Sequence, residues 1–390
     1  MTAARLVAVV GPGVLRDART AEEVFTRALT ARGAVGEFVV TSTEQEFSAA
    51  VADAVTGGEF LLLLPADPAD LDAQVRAGLP LHGAAVVRVD LDERDVGGTG
   101  PDRSEVVRRH VRGRGVDGLR FAVDAWHCTL VSPARTVVYG DDPDQRGELR
   151  VPDGPGPFPV AVLVHGGYWR SRWENDLSEP MAVDLLTRGF ATWNVEYRRP
   201  AEAGWNGTAA DVAASLEVLA DLDERLDLNR VVTLGHSAGG QLVVRLAADV
   251  AADPSRRVRP ALTVSQAGVL DLVTADRRWL GEGAVSTALG GRADDIPAVY
   301  AESSPLQRIP IGLPLAVVVG RGDNLDLLEL SRAFVSAAAA GGDEVTFVED
   351  EGNHFSVIDP RTGIWERTVQ LLRDRLGSTQ IVATDPESTR

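Results

Sequence analysis

The sequence predicts an α/β protein made of two parallel-sheet domains in tandem. Short β-branched apolar runs alternate with Ala/Glu/Arg-rich helical stretches along most of the chain, the pattern of strands joined by helical crossovers. Its 390 residues are too many for one ordinary core and suit two. The rhythm breaks at Ser132-Pro133, which places the boundary between residues 1–132 and 133–378.

In the first domain, strands are predicted over residues 5–10, 36–41, 60–64 and 84–89, each a run of apolar residues. Helices are predicted over 21–31, 44–55, 68–77, 103–112 and 116–130. Pro68 suits a first helical turn, where its missing N–H costs nothing. The second domain opens with a hairpin over 136–151 whose turn is Gly140-Asp141-Asp142-Pro143-Asp144. Buried strands follow over 159–164, 191–195, 230–234, 261–265, 315–319 and 344–347, with helices between them and a last helix over 364–376. Residues 379–390 are small and polar and are expected to form a disordered tail.

Composition removes several function classes. A formal charge of −18 argues against nucleic acid or an anionic membrane as partner, because polyanions are repelled. The chain contains no lysine, so there is no Schiff-base lysine and no GxxxxGK phosphate loop. A single cysteine, Cys128, excludes an intramolecular disulfide and a thiolate metal cluster. The apolar run at 6–10 lacks a preceding basic region and a cleavage site and reads as a strand. No apolar stretch reaches the roughly 18 residues of a membrane span. A cytoplasmic protein without cofactor or metal is expected.

The chemistry concentrates in the second domain. Gly235-His236-Ser237-Ala238-Gly239 follows an apolar strand and precedes a helical stretch, the context of a nucleophile elbow. There the serine stands at the tip of the turn, and the backbone N–H of Ala238 can face a developing oxyanion. Upstream, His165-Gly166-Gly167-Tyr168-Trp169 also ends a strand, and Gly167, with Gly166 or Tyr168, is expected to complete the oxyanion hole. A serine nucleophile needs a base. Of six histidines, His165 and His236 belong to these loops, and His82, His110 and His127 to the first domain. His354 remains, after the last predicted strand and in the chain order Ser, acid, His. The acid should follow the 315–319 strand, which gives Asp323, with Asp326 as rival. Tyr168, Trp169, Trp173 and Trp205 are candidate pocket residues, since ligand pockets are rich in aromatics.

On these motifs residues 136–376 resemble the α/β-hydrolase superfamily, and within it the esterase/lipase and arylformamidase branch. His165-Gly166-Gly167-Tyr168-Trp169 looks like the formamidase form of the oxyanion loop, and Asn194-Val195-Glu196-Tyr197-Arg198 like the strand and turn before the elbow. The resemblance implies hydrolysis of an ester or an N-formyl aryl amide through an acyl-enzyme. Asp326 and Leu327 stand where such esterases often carry Val-Pro, which leaves the acid open between Asp323 and Asp326.

Residues 5–130 resemble the flavodoxin-like fold of type II dehydroquinate dehydratases, on Val7-Ala8-Val9-Val10-Gly11-Pro12-Gly13, the strand/helix rhythm and the closing helix. The catalytic residues of that family have no counterparts here. No tyrosine precedes Tyr139, and neither Leu64-Pro65-Ala66-Asp67 nor Val89-Asp90-Leu91-Asp92 carries a histidine. Because that family is oligomeric, a silent domain that assembles homo-oligomers is expected. The expected whole is a flavodoxin-like parallel-sheet domain followed by an α/β-hydrolase domain acting on a small molecule. Acyl transfer or cyclisation on the same triad, or a scaffold with a vestigial triad, are the alternatives.

Overall fold

The computed structural model describes residues 5–66, 86–91 and 107–377, and of Val107 and Arg108 the backbone only. The expected helix over 68–77, the residue His82 and the tail from 378 lie outside these. The chain divides into two compact units, one of Met1–Pro133 with Arg170–Glu179, the other of Ala134–Trp169 with Pro180–Arg390.

The first unit holds a sheet of five parallel strands, β1 (Arg5–Val10), β2 (Val35–Val40), β3 (Phe60–Leu64), β4 (Val86–Asp90) and β5 (Val107–Arg112), in the order 2-1-3-4-5. That order is the flavodoxin-like one. Its inner strands are apolar because helices cover both faces of such a sheet. Val7, Val9, Leu61, Leu63 and Val86 pack with Phe47 and Val51 of the helix Glu44–Thr56. That helix starts where its sequence says it should. The Thr43 hydroxyl accepts from the Glu46 N–H at 3.2 Å, and the Glu46 carboxylate accepts from the Ser42 N–H at 2.7 Å. The helix Ala18–Ala31 is likewise capped by Asp17.

One sequence expectation fails here. The charged run over 103–112 reads as a helix, yet Val107–Arg112 is the edge strand β5. Its backbone pairs in parallel with β4, Val87 opposite Arg109 and Val89 opposite Val111. The charged side chains find partners across the fold, which local sequence does not reveal. His110 lies 2.6 Å from Asp90 of β4, and Arg109 bonds Asn175 at 3.1 Å and also Glu179.

The contiguous hydrolase domain expected from sequence also differs from the structure, in that Arg170–Glu179 groups with the first unit. Just beyond β5, Arg114 makes a two-pronged, buried ion pair with Asp176, at 2.5 and 2.8 Å, and donates to the Arg172 carbonyl at 2.9 Å. Trp173 packs edge-on against Phe121 at 5.3 Å, with the Arg114 guanidinium 4.4 Å from its ring.

The second unit is built on an eight-stranded sheet in the order β13-β12-β11-β10-β8-β9-β7-β6. The hairpin β6 (Arg135–Val138) and β7 (Arg146–Arg150) joins antiparallel at one edge. The other six run parallel: β8 (Phe158–Val164), β9 (Ala191–Val195), β10 (Leu226–His236), β11 (Leu262–Gln266), β12 (Leu315–Gly320) and β13 (Val345–Asp350). Leu163, Val164, Val232, Leu234, Val264, Val317 and Val318 are fully or almost fully buried, so the carboxyl ends of the strands are fixed by packing. Ligand sites of such sheets form at those ends. No helix among the described residues is long and apolar enough to cross a membrane.

The Arg114–Asp176 pair gives the first prediction. Both residues are buried, at 8% and 6% exposure, so Arg114→Ala leaves an unpaired carboxylate out of water. Urea unfolding of the variant is expected to show a loss of about 3 kcal/mol. Arg114→Ala with Asp176→Leu should lose less than the single variant. A single variant as stable as the parent would show that the pair does not hold this segment.

Candidate active site

The site begins with a sharp turn. β10 ends at His236, the helix Ala238–Ala252 begins two residues later, and Ser237 between them sits at φ 52°, ψ −116°. A left-handed backbone is uncommon for serine and marks the strained strand-to-helix elbow. Its N–H donates to the Gln266 carbonyl at 2.8 Å, which pins the turn to the end of β11. The glycines at 235 and 239 are a packing requirement. A Cβ on Gly235 would lie 2.1 Å from the Gly239 carbonyl oxygen, and one on Gly239 would lie 2.1 Å from that of Val164. Ala238 opens the helix, where backbone N–H groups lack intrahelical partners and can serve an anion.

Asp323 follows β12 and His354 follows β13. Their loops are tied together by the Gly322 N–H to the Gly352 carbonyl at 2.8 Å and the Arg321 N–H to the Asp350 carbonyl at 2.7 Å. His354 Nδ1 thereby lies 3.0 and 3.1 Å from the two Asp323 carboxylate oxygens. Asp323 is 8% exposed and also accepts from the Asn324 N–H at 2.7 Å. Asp326, the rival in sequence, is instead paired with Arg278 at 2.6 Å. His236 packs against His354. Its Nε2–H donates to the His354 carbonyl at 2.9 Å, and the two rings lie 4.7 Å apart. Burial, helped by the neighbouring His354, pushes His236 well below the usual imidazole range, so it stays a neutral, fixed donor.

The loop after β8 closes over the elbow. A Cβ on Gly166 would lie 2.7 Å from the His236 carbonyl oxygen and 2.9 Å from Ser237 Cβ, so only glycine lets the loop approach the nucleophile. Gly167, Tyr168 and Trp169 follow at φ 116°, 52° and 57°. Beneath them His165 is fully buried and stacks on Tyr197 at 4.5 Å. Its Nδ1 donates to the Gly166 carbonyl at 2.8 Å, its Nε2 lies 3.3 Å from Glu196, and the Tyr197 hydroxyl donates to its carbonyl at 2.9 Å. Arg199 in turn bonds Glu196 at 2.6 Å. Burial raises the Glu196 pKa, but the Arg199 charge, with His165, outweighs it and holds the carboxyl well below its ordinary range.

The four aromatic pocket candidates separate. Trp169 and Trp205 are core residues at 3% and 6% exposure, packed edge-on at 5.6 Å, with Trp205 Nε1 donating to the Ser303 hydroxyl at 2.6 Å. Trp173 belongs to the first unit, as described above. A tryptophan in a glycine-rich loop is as suited to covering a core as to lining a pocket, and sequence does not tell the two apart. Tyr168, like Trp173, is partly exposed, and its ring lies against Gly281 of the hydrolase unit. The charges of Glu196 and Arg199 beneath the oxyanion loop went unread in sequence. The only trace there was an acidic and a basic residue directly after an apolar strand.

The comparisons with known proteins agree with this architecture. Residues 150–337 match the BD-FAE family model. The chain is 31% identical over 122 residues to esterase EstD of Thermotoga maritima, covering 29% of this chain and 30% of that protein. It is 27% identical over 138 residues to a probable isoprenylcysteine alpha-carbonyl methylesterase of Oryza sativa subsp. japonica, covering 34% and 32%. The chain thus spans about a third of the length of these curated relatives. Among solved structures it is similar to esterase B from Lactobacillus rhamnosis, with a TM-score of 0.53 at 20% identity over 62% of this chain and 86% of that one. The second unit thus has the fold of an α/β-hydrolase, and the first is a flavodoxin-like sheet.

Proposed function

We propose that the protein is a serine hydrolase that cleaves a carboxylic ester or an N-formyl aryl amide through an acyl-enzyme. The observation that carries this is the Asp323–His354 pair, held at 3.0 Å beyond the carboxyl ends of β12 and β13, the same end of the parallel strands at which β10 carries the Ser237 elbow. In this reading the Ser237 hydroxyl oxygen attacks the substrate carbonyl carbon while His354 Nε2 takes its proton. The N–H groups of Ala238 and Gly167, with Gly166 shaping the loop, stabilise the oxyanion. Collapse of the intermediate expels the alcohol or amine, to which His354 returns the proton. Water repeats the sequence on the acyl-serine and releases the acid. Asp323 orients the imidazole and offsets its charge in both halves. The likeness to esterases supports the ester, and the formamidase-like loop at 165–169 supports the formyl amide. An added alcohol that competes with water for the acyl-enzyme would reveal acyl transfer on the same residues.

For the first unit we infer a catalytically silent, dehydratase-like domain that assembles copies of the chain. Four apolar side chains of that unit stand open to solvent, Val35, Val40, Leu130 and Val131, and assembly would give them cover. Sedimentation of the intact protein should give an oligomer, and a monomer at micromolar concentration would end this reading. Truncation before residue 134 is a poor test, since it would strip Arg170–Glu179 of its partners.

A panel of para-nitrophenyl esters and N-formyl aryl amides tests the activity itself. Ser237→Ala should lower kcat on the order of 10⁶ without loss of stability, because the residue acts chemically at a turn. Survival of a tenth of the rate would exclude Ser237 as nucleophile. Asp323→Asn is expected to lower kcat by about 10⁴, through the wrong imidazole tautomer. Asp326→Asn, which removes only a surface pair, should change it little. The reverse ranking in steady-state kinetics would move the acid to Asp326.

A further inference from the structure

Three large apolar side chains stand exposed among the described residues of the hydrolase unit: Val138, Trp279 and Leu325. Val138 lies on the edge strand β6, away from the catalytic loops. The other two border the site. Leu325 is 76% exposed and lies two residues past Asp323, at the start of the helix Leu325–Ala340. Trp279 is 54% exposed, in a turn where four of five residues carry left-handed backbone: Trp279 (φ 57°), Gly281 (57°), Glu282 (59°) and Gly283 (76°). Such a conformation is rare for a bulky residue and persists only where the surroundings dictate it.

The surroundings are specific. The turn is tied to the oxyanion loop at Gly281, where a Cβ would lie 2.8 Å from the Tyr168 ring. It is tied to the acid loop through Arg278, which donates to Asp326 and Glu329, each at 2.6 Å. The Trp279 ring covers Gly283, where a Cβ would lie 2.6 Å from it, and the Arg292 guanidinium lies 5.2 Å from its centroid. Arg292 is itself held by Asp276 at 2.9 Å. A tryptophan is therefore fixed in orientation, on strained backbone, with half its surface open beside the catalytic loops. Ordinary folding gives no reason to hold an indole this way, since its burial would be favourable.

We propose that Trp279 and Leu325 determine specificity by receiving the apolar part of an ester substrate that extends beyond the scissile carbonyl. This rests on the ester-hydrolase reading above. The apolar part belongs either to the acyl group or to the alcohol, and two substrate series separate them. Para-nitrophenyl octanoate against acetate varies the acyl end, and octyl acetate against ethyl acetate varies the alcohol end.

In Trp279→Ala and Leu325→Ser, the kcat/KM preference for the longer member should fall about tenfold in the series whose variable end meets these residues. Trp279→Phe should restore most of it, and Val138→Ser should keep the parental preference. An unchanged preference in both series, with ester turnover intact, would overturn the inference and leave the role of Ser237 standing. Should the parent protein cleave no ester, the hydrolase reading fails separately. Calorimetric titration with methyl octyl ketone, an uncleavable apolar carbonyl compound, then still decides. Binding about tenfold weaker in the two variants supports the apolar site, and equal affinity overturns it.

Discussion

The buried contact among Glu196, Arg199 and His165 is the constraint on which the site depends. An isolated carboxylate taken out of water is strongly disfavoured, and Glu196 is fully buried. It stays ionised because Arg199 lies 2.6 Å away and the Tyr197 N–H donates to it at 3.0 Å. His165 is caught between this charge and the Gly166 carbonyl, and Tyr197 covers its ring. The loop over 165–169 is therefore fixed from below by buried side chains. A loop with successive left-handed residues would otherwise have many lower-energy shapes.

On that support the remaining geometry is steric and local. Gly239 brings the helix after the nucleophile against the end of β8, and Gly166 brings the oxyanion loop against Ser237. The loops after β12 and β13 are tied to each other by backbone hydrogen bonds, so Asp323 and His354 meet although they lie 31 positions apart. His236 joins the two halves. It precedes the nucleophile in the chain, and its buried, neutral ring donates to the backbone of the base.

The first unit follows different physics. Its sheet is held by apolar strands, and its edge strand β5 is followed by Arg114. The arginines at 109 and 114 find acidic partners in Arg170–Glu179, beyond the point where the chain leaves the oxyanion loop. Two buried acids and two arginines so far apart in sequence form ion pairs only after the fold exists. The pattern over 103–112, read alone, is that of an exposed charged helix.

The sequence by itself determined most of the strands, β5 excepted, and the turn from strand to helix at Ser237. These are properties of adjacent residues: short apolar runs, and glycines flanking a serine. It narrowed the acid to two carboxylates and the base to one histidine. It left Asp323 and Asp326 unresolved because both lie in the same loop and differ only in where the loop turns. The tertiary structure separates the two carboxylates by partner, placing Asp323 beside His354 and Asp326 beside Arg278. It also turned a predicted charged helix into strand β5, sent Trp169 and Trp205 into the core, and left Trp279 outside on strained backbone. Each of these depends on what a side chain meets across the fold, and a linear pattern of residue types does not encode those partners.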